Sequence, residues 1–447
     1  MTTNASQKTP LILVGLNEIN FDFVRWYAER GDLPGFSALM AEHGVEVTTS
    51  EAAYEELEPW IQWVSIQTGK SFAQHRVFRL GDIVDTELTQ YFELLERHGV
   101  SVGAVSPMNA ANRLHNAPFF IPDPWTKTRV SGGADLEKLA QAVNRVVNNN
   151  AERQVTPGDL VRLALAYLRY GSWSDFAAGL RALNPNAAGW RLATSLDRLL
   201  AALFVHLFNR HRPGFAALFL NAGAHIQHHY MFESAAYQGK MRNPPGYMRG
   251  RHDPLREIYV AYDDIIVRLR KSNPGVRFIF ATGLHQDPYP EKAFYWRIKD
   301  HNAFLVDLGL AGFTVEPRMS RDFLVKCADA AMVDRVRVEL AECRDESGRP
   351  LFEIDAREKS VFATLLYEGD ITANTRFVHR GRELADPRGL CAFVAIKNGM
   401  HNAAGYVIDT RHSPGQSSEP MPVWSLFDRV ISHFGLPTSS GATDSAA

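Results

Sequence analysis

Leu11-Ile12-Leu13-Val14-Gly15-Leu16, running straight into Asn17-Glu18, is the stretch on which the fold turns. A short apolar run without alternation, closed by polar residues, reads as a strand buried on both faces, the kind found in a parallel sheet. Residues 100–105, Phe215–Leu220 and 276–281 have the same character. Helical patterns lie between these runs. One begins near Phe21 and stops at Gly31, Leu33-Pro34-Gly35 opens another that closes at Gly44, and 254–271 places Ile258, Tyr262, Ile265, Ile266 and Leu269 at helical spacing. Strands alternating with helices predict an α/β protein with a doubly wound, mostly parallel sheet covered on both faces.

The chain's 447 residues are enough for such a core with insertions. Residues 132–210 carry helical spacing (Leu136, Leu139, Ala140, Val143, Val147) and a Thr156-Pro157 helix start, with little strand signal, and read as a helical insertion. The core is therefore assigned to 9–131, 211–290 and 391–436, and 291–390 to a small α+β, cap-like region. The tails, 1–8 and 437–447, are expected to be disordered. The insertion and the segment Phe119-Phe120-Ile121-Pro122-Asp123-Pro124-Trp125 are expected to cover the strand ends, with Phe120 or Trp125 touching substrate.

Lys plus Arg total 48 against 50 Asp plus Glu, so charge gives no reason to expect nucleic acid or a membrane as partner; a small-molecule substrate is the expectation. Cys327, Cys343 and Cys391 are too few and too scattered for a disulfide framework or a Cys-based zinc site, which fits a reducing, cytoplasmic compartment. The start of the chain lacks a secretory apolar core, and the apolar run 199–208 is short and contains His206. Oligomeric state is left open.

Ligands of an open α/β sheet bind at the carboxyl ends of its strands. Asn17 and Glu18 follow the first strand, Asn221 and His225 the third, His285 and Asp287 the fourth. Within Asn221-Ala-Gly-Ala-His225-Ile-Gln-His228-His229, His225 and His229 are four apart and face one way on a helix, so they could share a metal ion; the alternative is surface or core histidines. In Glu58-Pro59-Trp60, Pro59 suits the first helical position and makes Glu58 the N-cap, its carboxylate against the positive helix end. Thr68-Gly69-Lys70 lacks the glycine-rich lead of a phosphate loop. Lys397-Asn398-Gly399-Met400-His401-Asn402 adds a histidine after a further apolar run.

Together these pieces resemble the alkaline phosphatase superfamily, in its type I phosphodiesterase/nucleotide pyrophosphatase branch. The family's first strand ends in a metal-binding Asp, here Asn17. Its Pro-containing helix resembles Leu33-Pro34-Gly35-Phe36-Ser37-Ala38-Leu39, and the helix headed by its Thr or Ser nucleophile resembles Glu58-Pro59 through Thr68-Gly69 to His75. An Asp-x-x-Gly-His motif falls at Asn221-Ala-Gly-Ala-His225, a Ser-Asp-His-Gly strand end at Thr282-Gly283-Leu284-His285, and a late Gly-x-His at Gly399-Met400-His401. The resemblance covers roughly 10–110, 215–290 and 390–410, and implies an alkaline phosphatase-like fold.

Family members bind two metals, usually zinc, and attack phosphorus with the hydroxyl. Here Asn17 and Asn221 stand where acidic ligands are expected, Gly283-Leu284 replaces an Asp-His pair, and no hydroxyl occupies the nucleophile position. The resemblance therefore implies one divalent metal or a rebuilt site, with zinc first and manganese or iron as alternatives. His225 and His401 would hold it with Asn221, completed by Glu18 or Glu58, with His229 and His285 as further replacements. The expected function is hydrolysis of a phosphate or related ester, with Glu58 as general base or ligand. The alternatives are a binding or scaffold protein that kept the fold and lost catalysis, and a mononuclear two-His-one-carboxylate enzyme of non-hydrolytic chemistry.

Overall fold

The computed structural model describes residues 9–148, 155–182, 189–248, 250, 252–318, 321–415 and 419–438. Of the tails expected to be disordered, 1–8 and 439–447 lie outside the described residues. The chain divides into two compact units, one drawn from Met1–Asn149, Gln154–Pro288 and Asn398–Ala447, the other mainly from Tyr289–Lys397.

The first unit is built on an eight-stranded sheet. Its strands include β1 (Leu11–Leu16), β2 (Glu46–Thr49), β3 (Val102–Val105), β4 (Phe119–Ile121), β5 (Phe215–Leu220) and β6 (Arg277–Ala281). From one edge the order is Met421–Pro422, β2, Ala404–Asp409, β6, β1, β5, β3, β4. β1 lies between β5 and β6 and pairs parallel with both, Leu11 opposite Phe215 and Arg277. Ala404–Asp409 runs antiparallel to β6 and β2. The unalternating sequence of β1 now has its cause. Ile12, Val14 and Leu16 pack into the core on one face, and Leu11 and Leu13 into the core on the other.

Helix α1 (Phe21–Ala28) is capped by Asn20, whose side chain accepts from the Asp22 and Phe23 amides. Helix α2 (Pro34–His43) starts on Pro34 and ends at Gly44. Helix α3 (Pro59–Thr68) has Glu58 at its N-cap and Pro59 in its first turn, as the sequence predicts, but the Glu58 carboxylate makes no capping hydrogen bond. A Cβ at Gly15 would come within 2.5 Å of the Phe219 ring and 2.8 Å of Trp63. Glycine is what lets the Trp63 indole of α3 lie against the central strand.

The region 132–210 contains the helices Ala134–Asn148, Pro157–Tyr170 and Trp173–Ala182 and most of Gly189–His211. Thr156 caps the second of these by accepting from the Asp159 amide. Gly189–His211 is long and apolar enough on length and composition to cross a membrane. Here Leu199, Leu203, Phe204 and Phe208 are buried in the core that contains Ile12, Val14 and Leu218, so it serves as the main helix on that face of the sheet. Phe120, expected to touch substrate, belongs to β4 and is fully buried against Phe92, because the run Phe119–Ile121 continues the sheet instead of forming a loop.

The second unit is α+β. Its antiparallel sheet runs Phe352–Arg357, Ser360–Leu365, Asp322–Cys327, Phe313–Pro317, with the helix Ala330–Ala341 packed on it. Cys391–Ile396, assigned to the core from sequence, pairs antiparallel with Phe294–Ile298 within this unit. An apolar run shows that a strand is buried but not which strand it pairs with.

Candidate metal centre

Glu18 leaves β1 in the left-handed backbone region, at φ 60°, an uncommon conformation for a residue with a side chain. The surrounding backbone holds it there: the Asn17 amide donates to Leu220, the Glu18 amide to Thr282, and the Gln286 amide to the Glu18 carbonyl. The turn is thereby tied to the ends of β5 and β6, and the Glu18 side chain is buried at the carboxyl end of the sheet.

Two further elements reach this carboxylate. The strand Gly399–Asn402 pairs antiparallel with β7 (His285–Pro288), in a register that sets His401 opposite Gln286. The helix Ala222–Tyr230 follows β5, and the buried Asp197 accepts from its first amide at Ala222. Gln227 on this helix donates to the Glu18 carbonyl and accepts from the Asn20 amide and the Tyr259 hydroxyl, fixing the helix against the turn. The Asn398 amide donates to the His228 carbonyl and joins helix to strand.

The result is a triangle of potential ligands. Glu18 Oε2 is 3.1 Å from His401 Nε2 and 3.2 Å from His228 Nε2, and the two Nε2 atoms are 3.3 Å apart. Among the described residues these form the one group of three His, Cys, Asp or Glu side chains close enough to share an ion. Each Nε2 can donate only in the tautomer or charge state that places a proton on it, so the close approach of the three atoms is held by a proton on Nε2 or by a cation between them. Without a metal, protonation of His401 is favoured. Burial alone would lower its pKa, but Glu18, Glu58 and the Leu57 carbonyl raise it to about 9. Burial likewise opposes charge on Glu18, and His401 with His228 outweighs it, holding the carboxyl well below the usual range.

The donor set and spacing fit a dication. Ligand atoms held tetrahedrally at about 2.05 Å lie about 3.3 Å from one another. The Glu18 carboxylate is oriented by Asn17 Nδ2, which donates to Oε1 at 2.9 Å, and by Gln286 Nε2, which donates to Oε2. A Cβ on Gly399 would strike the Gln286 amide, so glycine there leaves room for this contact.

The other residues singled out from sequence surround the triangle. Asn17 Oδ1 accepts from Trp63 Nε1 at 3.1 Å, and its Nδ2 also donates to Asn221 Oδ1 at 2.8 Å. Glu58 Oε2 lies 3.7 Å from His401 Nδ1, the nitrogen turned away from Glu18. Both nitrogens of His285 are engaged, Nδ1 with the Ala404 carbonyl and Nε2 with Asp287 at 3.2 Å. His225 and His229 do face one way, with ring centroids 4.5 Å apart, but they stand outside the three-residue cluster. His228 takes the place expected for His225. A sequence signal for it existed: four residues after Ala224 and three before Met231, both buried, it lies on the inward side of the helix. Gln286, which no metal-ligand pattern includes, gives no comparable signal.

Fold and site define a doubly wound α/β protein with a carboxylate–imidazole–imidazole cluster at the carboxyl ends of its strands. No family model matches the chain, and no curated protein matches it. Among solved structures it is similar to phosphonoacetate hydrolase from Sinorhizobium meliloti 1021 in complex with phosphonoacetate, at 12% identity and TM-score 0.46, covering 95% of this chain and 96% of that one. It is similar to murine ectonucleotide pyrophosphatase/phosphodiesterase 5 in complex with AMP, at 11% identity and TM-score 0.46, covering 96% of each chain. It is also similar to a TAB5 alkaline phosphatase mutant with magnesium bound, at 10% identity and TM-score 0.41, covering 96% of this chain and 99% of that one. All three are alkaline phosphatase superfamily members.

Proposed function

We propose that the protein is a mononuclear metal-dependent hydrolase of a phosphate or related ester, with Glu18, His228 and His401 as the metal ligands. The observation that carries this reading is the mutual approach of one buried carboxylate oxygen and two imidazole nitrogens within 3.1–3.3 Å. A bound divalent metal, zinc by preference, supplies Lewis acidity toward a substrate oxygen and lowers the pKa of water. Glu18 brings the single negative charge, and Asn17 and Gln286 keep its oxygens turned to the imidazoles. Glu58, 3.7 Å behind His401 Nδ1, sets a negative charge against the outer side of that ring, the place where a carboxylate orients a ligating histidine and raises its basicity. Asn17 and Asn221 supply neutral amides in place of further anionic ligands, which suits one dication better than two.

The experiment is elemental analysis of the purified protein beside turnover of bis(p-nitrophenyl) phosphate and p-nitrophenyl phosphate with zinc, manganese and iron. One metal per chain, lost in Glu18→Ala, with activity that follows it, is the expected result. A metal-free protein inactive with every ion would overturn it. The donor set itself favours a second reading, because two histidines and one carboxylate also suit ferrous iron in non-hydrolytic chemistry. Retention of iron over zinc, without esterase activity, would select that reading.

A further inference from the structure

A soluble protein's helix is ordinarily apolar on one side, and one that is apolar all round needs cover on both. The helix Pro157–Tyr170 buries Leu163, Ala166 and Tyr167 on its inner side. On its outer side Val161, Leu165 and Leu168, spaced by four and three, are 58%, 58% and 56% exposed. The next helix, Trp173–Ala182, repeats the arrangement, burying Asp175 and Gly179 while Trp173 is 81% and Leu180 54% exposed. Both helices pack on Gly189–His211, so their outer sides face away from the same support. Large apolar side chains grouped in this way mark an interaction surface.

The exposed charges of these two helices are of one sign. Arg162, Arg169 and Arg181 are exposed, whereas the acids of the two helices, Asp159 and Asp175, are buried. Asp159 is bound by Arg145 and, at 3.3 Å, by the exposed Arg162, and Asp175 by Arg268 and Arg198. Arg169 approaches the exposed Asp135 at 3.9 Å. The near balance of 48 basic and 50 acidic residues over the whole chain conceals this local bias.

We propose that the outer face of these two helices docks on an anionic lipid membrane, with Val161, Leu165, Leu168, Trp173 and Leu180 entering the interface and the three arginines meeting lipid phosphates. Leu, Val and Trp on one side with Arg along the flank is the composition of an in-plane membrane helix, and juxtaposed basic residues are attracted to anionic leaflets. A second copy of the chain fits less well. A two-fold interface would bring the same arginines together without exposed acids of these helices to pair them.

The test is co-sedimentation of the full chain with phosphatidylcholine vesicles prepared with and without phosphatidylserine, together with light scattering in solution. The expected result is binding that requires phosphatidylserine, falls with salt, and weakens at least tenfold in the combined Leu165→Gln, Leu168→Gln, Trp173→Gln variant. That variant should keep its circular dichroism and metal content. In a second measurement, a polarity-sensitive dye on Leu168→Cys should shift blue when vesicles are added. No binding to phosphatidylserine vesicles, equal binding to phosphatidylcholine alone, or a dye that does not respond would overturn the proposal. So would a dimer that the combined variant converts to monomer.

Discussion

Asp197 offers a quantitative probe of how the histidine-bearing helix is held. It projects from Gly189–His211, is buried, and accepts from the Ala222 amide at 2.8 Å and the Tyr262 hydroxyl at 2.7 Å. Burial raises its pKa to about 6, more than the hydrogen bonds from Tyr262, Ala222 and Asn221 lower it. An unfolded Asp titrates near ~3.9. Between these values the native state holds a proton that the unfolded chain has released, so stability falls as pH rises, the reverse of the usual Asp. Over about two pH units, at ~1.36 kcal/mol each, the loss is about 3 kcal/mol, complete above pH ~6. Asp197→Asn retains an oxygen that can accept both hydrogen bonds and removes the charge. Urea unfolding from pH 4 to 7.5 should show the Asn variant gaining up to about 3 kcal/mol relative to wild type as pH rises. A difference that is flat with pH, or that slopes the other way, would show that the helix amides outweigh burial and that the argument is wrong.

Gly15→Ala should destabilise by about 1–3 kcal/mol, measured by thermal unfolding, because its Cβ has no room beside Phe219 and Trp63. Glu58→Gln should cost about 1 kcal/mol of stability or less, since the carboxylate caps no amide, while turnover or metal affinity falls about tenfold or more. Metal affinity should rise with pH, by about tenfold per unit, until His401 loses its proton near pH 9, because the metal displaces that proton; competition with a chelator at several pH values measures it. A pH-independent affinity would remove His401 from the ligand set.

The parts of the fold legible in the sequence are those set by burial along a single element. β5 spans Phe215–Leu220 as read, and β6 begins at Arg277, one residue inside the run that marks it. Thr156-Pro157 marks the helix start, because a cap and a first-turn proline act locally. The polar residues after β1, β5 and β6 do cluster at the sheet's carboxyl ends. What the sequence does not contain is register. Gln286 meets Glu18 only because Gly399–Asn402 pairs with β7 so that His401 stands opposite it. The four-residue spacing of His225 and His229 describes their mutual contact correctly, and Ala224 and Met231 mark the inward side only weakly; the hydrogen bonds that fix it, Gln227 with Tyr259 and the His228 carbonyl with Asn398, are long-range. The left-handed turn at Glu18 leaves no mark either, since glycine is the residue usually found there.

On the proposed function, Glu18, His228 and His401, rather than the His225–His229 pair, hold a single metal. Metal content after dialysis, measured by elemental analysis on wild type, His228→Ala and the double variant His225→Ala/His229→Ala, tests it directly. The expected result is one metal per chain in wild type and in the double variant, and a near-empty His228→Ala. Loss of metal from the double variant with retention in His228→Ala would contradict it.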